Sequence, residues 1–394
     1  MKTYIFVLSF LCMSFLVHAQ TINVKEEMGK VLKQYELLLK AHPDTKKTPH
    51  SFSNGKYINM PAEWWCSGFF GASLWKLYEY TKNTKWKNAA HLWSMAVRKG
   101  QYNTTTHDLG FMIYYPFGHG YRLTGNPLYK SILLNGAKSL ATRFDPRVGV
   151  IKSWDSFKDT YNYPVIIDNM MNLDYLFWAT KETKDPAYYN IAVKHADATI
   201  KNHFRPDFSS YHVVCYDSAG NVLVKQTWQG ANDSSAWARG QAWGLYGFTS
   251  MYSDTRDKKY LQQAIAIADF YIYHPNLPKD KIPYWDFNAP NIPYEERDVS
   301  AGAIACSALL ELCRYTSKKK TQEYFTVAKQ MLQSLSSHAY RNALGENGNF
   351  LLKHSVGFKP GGKEIDVPLV YADYYYIEAL MRYNKLVKSK KFPE

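Results

Sequence analysis

Cysteine is scarce in this chain, five in 394 residues, and none falls in a CxxC metal or redox pattern. One of them, Cys12, lies in the N-terminal leader. Cys66, Cys215, Cys306 and Cys313 remain, an even number that permits bridges in an exported protein. Cys306 and Cys313 stand two turns apart in one apolar stretch and read as small buried hydrophobes. The cysteines therefore predict no essential bridge and no zinc; the chemistry expected of the chain needs no metal or organic cofactor. Arginine-rich arms and nucleic-acid motifs are also missing. The formal charge of +14 is spread over scattered lysines, which argues against nucleic acid as a partner. An exported basic protein suits acidic glycans better, although a merely soluble surface explains the same charge equally well. Beyond the leader no uninterrupted apolar run reaches membrane-spanning length, so no membrane anchor is expected.

The leader itself is short. Met1-Lys2 supplies a basic start, Tyr4 to Val17 is apolar, and Ala19 is a small residue before Gln20. Residues 1–19 read as a secretory signal peptide and 20–394 as one mature domain, exported and periplasmic.

What the mature chain has in abundance is apolar and aromatic residues, 46% and 16% of the whole, and they come in two alternating helical patterns. Met28, Val31, Leu32, Tyr35, Leu38 and Leu39 mark one face of an amphipathic helix over Val24–Ala41. A loop rich in Lys, Pro, Ser and Gly follows, and a second helix opens at Glu63-Trp64-Trp65. Segments apolar almost all round begin near Trp65, Asp108, Asp168, Ala236, Val299 and Val367. One-sided segments with lysines outside begin near Trp86, Tyr129, Tyr188, Tyr260 and Tyr324. The joins repeat: Thr81-Lys-Asn-Thr-Lys-Trp86, Thr124-Gly-Asn-Pro-Leu-Tyr129, Thr183-Lys-Asp-Pro-Ala-Tyr188, Thr255-Arg-Asp-Lys-Lys-Tyr260. Such a degenerate repeat of helical hairpins, with six members that must be buried on all sides, predicts an all-α (α/α)6 toroid. A small β-hairpin insertion is expected from Tyr211–Tyr216 and Val222–Trp228 around the turn Ser218–Asn221.

In a ring of hairpins all inner helices point one way, so their N-terminal ends share one rim. The unusual polar and aromatic residues fall at those ends: Trp65, His107 with Asp108, Asp168 with Asn169, Arg239 with Gln241 and Trp243, and Tyr371 with Asp373. Indoles stack on sugar rings, an Arg fork grips a carboxylate, and paired acids move protons. The same positions also suit structural roles. Asp168 and His107 fit helix caps, Trp65 and Trp243 fit the core, and Arg239 fits a structural ion pair.

Asp108 in His-Asp-Leu-Gly-Phe, Asp168 in Ile-Asp-Asn-Met-Met-Asn, Ser235-Ala-Trp-Ala-Arg239-Gly-Gln-Ala-Trp243-Gly and Tyr371-Ala-Asp-Tyr-Tyr-Tyr-Ile-Glu-Ala-Leu together resemble glycoside hydrolase family 88, the unsaturated glucuronyl hydrolases. The resemblance covers essentially the whole mature chain. It implies removal of a 4,5-unsaturated uronic acid from the non-reducing end of lyase-generated glycosaminoglycan disaccharides, by hydration of the enol ether. By motif position Asp168 is the acid and base and Asp108 the second essential carboxylate. Trp65, His107, His212, Thr227, Gln229, Arg239 and Trp243 are the expected contacts to an anionic unsaturated disaccharide. Lys359, in His354–Lys359, supplies charge towards the second sugar. Two rivals stand beside this reading: an unsaturated rhamnogalacturonyl hydrolase acting on pectic fragments, and a glycan-binding protein without catalysis.

Overall fold

The computed structural model describes residues 22–389; the leader over residues 1–19 lies outside the described residues. Twelve α-helices run through them. In chain order they are α1 (Val24–Ala41), α2 (Phe69–Thr81), α3 (Thr84–Ala96), α4 (His119–Thr124), α5 (Pro127–Ala141) and α6 (Leu173–Thr183). The second half follows with α7 (Pro186–His203), α8 (Ala238–Thr255), α9 (Lys258–Tyr273), α10 (Val299–Leu312), α11 (Lys318–Ser336) and α12 (Val370–Lys388). The even-numbered helices form the inner ring of an (α/α)6 toroid and the odd-numbered ones the outer ring. Burial draws the division. In α10 every residue but Glu311 is buried, whereas α11 buries only Tyr324, Phe325, Ala328, Met331, Leu332 and Leu335, one stripe at helical spacing.

The repeated join has a single physical form. Thr81, Thr124, Thr183 and Thr255 each donate their hydroxyl back to the carbonyl four residues earlier. The next residue turns left-handed: Lys82, Gly125, Lys184 and Arg256 have φ of 58°, 67°, 64° and 59°. Then Asn83, Asn126, Asp185 or Asp257 caps the following outer helix by accepting a backbone N–H two residues on. Four inner helices thus hand over to their outer partners through the same three-residue device.

Four details depart from the sequence expectation. The stretch read as a loop before Pro61 forms a hairpin, β1 (Thr48–Ser53) with β2 (Lys56–Met60), turned at Asn54-Gly55 with both φ positive. Helix α2 starts at Phe69, not Glu63. The chain turns through Pro61–Gly68 instead, because Gly68 lies against the next inner segment, where a Cβ would come within 2.2 Å of the Phe111 carbonyl oxygen. The second inner segment is wound as a π-helix over Gly110–Gly118 before α4, and it contains Pro116, which has no N–H to give. The last inner helix begins at Val370, since Val367 and Leu369 are extended and bridge to Ser355 and Ser51.

A two-residue ladder, β3 (Phe144–Asp145) with β4 (Val150–Ile151), follows α5. The expected insertion is present and larger by one strand. Strand β5 (Pro164–Ile166) pairs with β6 (Val213–Tyr216), which pairs with β7 (Val222–Gln226), all antiparallel. Because β5 leads straight into Asp168, this sheet sets where that acid emerges. The four described cysteines are all unpaired and buried, and the Cys306 thiol donates to the Ala328 carbonyl. None of the described helices is long and apolar enough to cross a membrane.

Midway along the inner helices, Glu378 of α12 collects charge. It accepts from Lys76 of α2 at 2.9 Å, Tyr246 of α8 at 2.9 Å and Ser307 of α10 at 2.7 Å, and Arg382 lies 3.5 Å away. Burial alone would push this carboxyl up, but Arg382 and Lys76 hold it far below the usual range. Glu378→Gln leaves the buried Lys76 and the half-buried Arg382 short of a counter-charge. It should cost about 3 kcal/mol or more in denaturant unfolding; a loss under about 1 kcal/mol would show that the cluster is not energetically coupled.

Candidate active site

The N-terminal ends of the inner helices surround a cavity of about 380 Å³, within the range of small-molecule sites. Four tryptophans line it, Trp64, Trp65, Trp154 and Trp228, together with His107, Asp108, Asp168, Gln229, Arg239, Phe358, Lys363, Glu364 and Tyr371.

The two acids arrive on different supports. Asp108 precedes the π-helical segment, and Asp168 sits in a 3-10 turn (Ile167–Asn172) between β5 and α6. Asn172 couples the supports by accepting the Gly110 N–H at 2.8 Å. Neither a helix cap for Asp168 nor one for His107 is found. The 3-10 turn has no side-chain cap, and Asp168 Oδ2 is buried without a protein partner. His107 instead meets Ser153, its Nδ1 3.3 Å from the hydroxyl.

Their electrostatics differ sharply. Burial raises Asp168 to about 7; the neighbouring Asp108 adds to this, while His107 and Arg239 oppose it. Burial would raise Asp108 as well, but it is overruled. His107 Nε2 lies 3.2 Å from Asp108 Oδ1, and Thr106 donates its hydroxyl at 2.5 Å, which holds this carboxyl below its usual range. One acid keeps its proton near neutrality while the other is ionised.

His212 stands behind Asp168. Its Nδ1 accepts the backbone N–H of Trp228 and of Gln229, both at 3.1 Å, so the proton of the neutral ring belongs on Nε2. Burial, with Arg239 next, holds this imidazole well below its normal pKa. Nε2 faces Asp168 Oδ2 at 3.7 Å. Ser153 was not apparent as a site residue, yet its buried hydroxyl joins both acids' segments. It meets His107 and accepts the N–H of Ile166 at 3.0 Å.

The other expected residues divide. Trp65, Gln229 and Arg239 line the cavity. Trp243 lies fully buried beneath it, its ring 5.3 Å from Phe111 and 5.5 Å from Tyr375. Thr227 closes a turn by accepting the Gly230 N–H at 2.8 Å. Arg239 makes the structural pair: Nη1 to Asp298 at 3.1 Å and to the Val356 carbonyl, Nη2 to the Gly357 carbonyl at 2.7 Å. Its fork thereby pins a hairpin-like loop over residues 355–367, where Phe358 pairs with Lys363 and Ser355 with Val367. Lys359 points to Glu295 and Glu296; the lysine on the cavity is Lys363. Asp373 and Gln241 are structural: Asp373 accepts the N–H of Leu351 and of Leu352, and Gln241 clamps Phe208 and Ser210. Buried polar atoms without a protein partner gather here, among them Asp168 Oδ2, His212 Nε2 and Tyr371 Oη, as expected where a ligand supplies the missing bonds. No cluster of three metal-ligating side chains occurs among the described residues.

A toroid with one protonated and one ionised acid in an aromatic cavity fits a glycoside hydrolase. The family model described as Glycosyl Hydrolase Family 88 matches residues 40–386. An unsaturated glucuronyl hydrolase of Formosa agariphila is 44% identical over 93% of this chain and 92% of its own length. An unsaturated chondroitin disaccharide hydrolase of Streptococcus pneumoniae is 33% identical over 92% of this chain and 93% of its own. The crystal structure of an unsaturated glucuronyl hydrolase specific for heparin superposes with a TM-score of 0.89 at 45% identity, covering 93% of this chain and 98% of the other. The chain belongs to glycosyl hydrolase family 88.

The shift of Asp168 has a thermodynamic consequence. Between roughly pH 4 and 7 the native state holds a proton that the unfolded chain releases, so this residue makes stability fall as pH rises through that window. Asp168→Asn should therefore be more stable than the parent at pH 8, by about 4 kcal/mol, and about equal to it at pH 4. Denaturant melts at both pH values measure this; a pH-independent difference contradicts the shift.

Proposed function

We propose that the protein removes the 4,5-unsaturated glucuronyl residue from the non-reducing end of lyase-generated glycosaminoglycan disaccharides and oligosaccharides. The observation that carries this is the acid pair: Asp168 holds a proton near neutrality beside an ionised Asp108. The chondroitin and heparin specificities of the relatives support the substrate class.

Asp168 gives its proton to C4 of the enol ether, and positive charge develops over C5 and O5. Asp108, ionised nearby, favours that charge. Water then adds to C5 and returns a proton to Asp168. The resulting hemiketal opens by breaking C5–O5, which leaves a ketone at C5 and a hemiacetal at C1. The hemiacetal releases the next sugar with its hydroxyl, and one water is consumed overall. Tyr371, whose hydroxyl lacks a protein partner, is placed to orient the sugar, and the tryptophans to stack on its faces.

The C4–C5 double bond absorbs ultraviolet light and hydration abolishes the signal. Purified protein should bleach unsaturated chondroitin, heparin or hyaluronan disaccharides, and Asp168→Asn should lower the rate by about 10³-fold or more. The rate should decline above about pH 7 as Asp168 loses its proton. Bleaching of pectic disaccharides alone would favour the rhamnogalacturonyl activity; binding without bleaching would leave a glycan-binding protein.

The basic start, the apolar Tyr4–Val17 and Ala19 support export, with a periplasmic destination. Intact-mass measurement of protein recovered from the periplasm should give a chain starting near Gln20. An uncleaved Met1 start in the cytoplasm would refute export.

A further inference from the structure

The turn that presents Asp108 is not held by any regular element. Residues 103–107, just before it, are neither helix nor strand, so their backbone must find its partners elsewhere. Those partners come from α5 and the residues just past it. Asn135 donates to the Gln101 side-chain oxygen at 2.8 Å, and Ser139 to the Gln101 carbonyl at 2.7 Å. Arg143, beyond the end of α5, reaches further. Its Nη1 donates to the Thr104 carbonyl at 2.5 Å, close before the Thr106 hydroxyl that bonds Asp108. Its Nε donates to the Lys152 carbonyl at 2.7 Å, and its own carbonyl accepts the Lys152 N–H at 2.9 Å. Lys152 adjoins Ser153, whose hydroxyl meets His107 and accepts the N–H of Ile166, at the end of the strand that leads into Asp168. One planar guanidinium thus fixes the approach to Asp108 and the support of Asp168 relative to each other.

The charge of Arg143 also lies inside. Only 4% of its side chain is open, whereas 66% of its acid partner Asp155, at 3.2 Å from Nη1, is in solvent. A buried cation whose counter-ion is hydrated keeps part of its field within the protein. Burial would raise the Asp108 carboxyl; after His107 and Thr106, the charge of Arg143 helps to hold it down. The residue sits behind the cavity wall, in a surface depression shared with Thr104, Lys152 and Asp155. We propose that Arg143 is a positioning residue for the reaction, which braces the Asp108 turn against the Ser153 strand and so sets how the two carboxyls face the sugar without touching it. The inference rests on the glucuronyl hydrolase reading above. Loss of such a brace lets a reacting group drift, which costs rate far more than binding.

Ultraviolet bleaching of unsaturated disaccharides by the full chain gives kcat and KM separately. Arg143→Ala should lose about tenfold or more in kcat, with KM within about twofold of the parent. Arg143→Lys, which keeps the charge and can reach one carbonyl, should recover part of the loss. Methylguanidinium added to Arg143→Ala, entering by the depression, should recover part of it too. A folded Arg143→Ala with kcat within about threefold of the parent, or with its loss carried by KM, overturns the proposal. So does a kcat that neither Arg143→Lys nor methylguanidinium raises, because that marks general damage to the fold. If Arg143→Ala does not fold, Arg143→Lys decides by the same split: a lower kcat at unchanged KM supports the brace, and parental kcat or a raised KM overturns it. A parent that bleaches no disaccharide overturns the hydrolase reading and this inference with it; a parent that does, with Arg143→Ala its equal, overturns this inference alone.

Discussion

One buried carboxylate closes the ring. Glu378 draws hydrogen bonds from α2, α8 and α10 and an ion contact from Arg382, so four inner helices are tied to a single point. A buried charge is tolerated only where its partners are complete, and here the partners come from elements far apart in sequence. With the inner helices tied together at mid-length, their N-terminal ends are left as the rim that carries chemistry. The same parallel arrangement of the inner helices places Trp65, Asp108, Asp168, Arg239 and Tyr371 around one cavity.

The division of labour between the two acids comes from neighbours rather than from position. Both start inner segments and both are buried. Asp108 is met by Thr106 and by His107, itself steadied by Ser153. Asp168 has no donor on Oδ2 closer than His212, at 3.7 Å. A difference of one or two hydrogen bonds is enough to place one carboxyl below its usual range and the other near neutrality. Ser153 touching the segments of both acids makes the pair a single unit.

Much of this was legible in the sequence where period and cap chemistry agree. The helix α1 falls on Val24–Ala41 because its apolar spacing and its flanking residues give one answer. The Thr-x-Asn/Asp joins announced the outer helices because each is a complete local device. Other features were hidden for physical reasons. Lys363, Glu364 and Phe358 sit in a loop whose course is set by Arg239 and Gln229, over a hundred residues away, and no periodicity reports that. Arg239 itself shows why residue type alone misleads: its fork serves backbone carbonyls and Asp298. One signal was local and passed over, the Asn54-Gly55 turn between alternating residues.

Below the acids the barrel is filled by Phe111, Trp243 and Tyr375. A polymer cannot thread through such a bore; only a chain tip fits, and both products must leave by the door the substrate entered. Work done on a polysaccharide then scales with the number of tips presented, not with the length of the strands. A long uncut strand offers one unsaturated tip at most, so an endo-acting lyase working upstream sets the pace by multiplying ends.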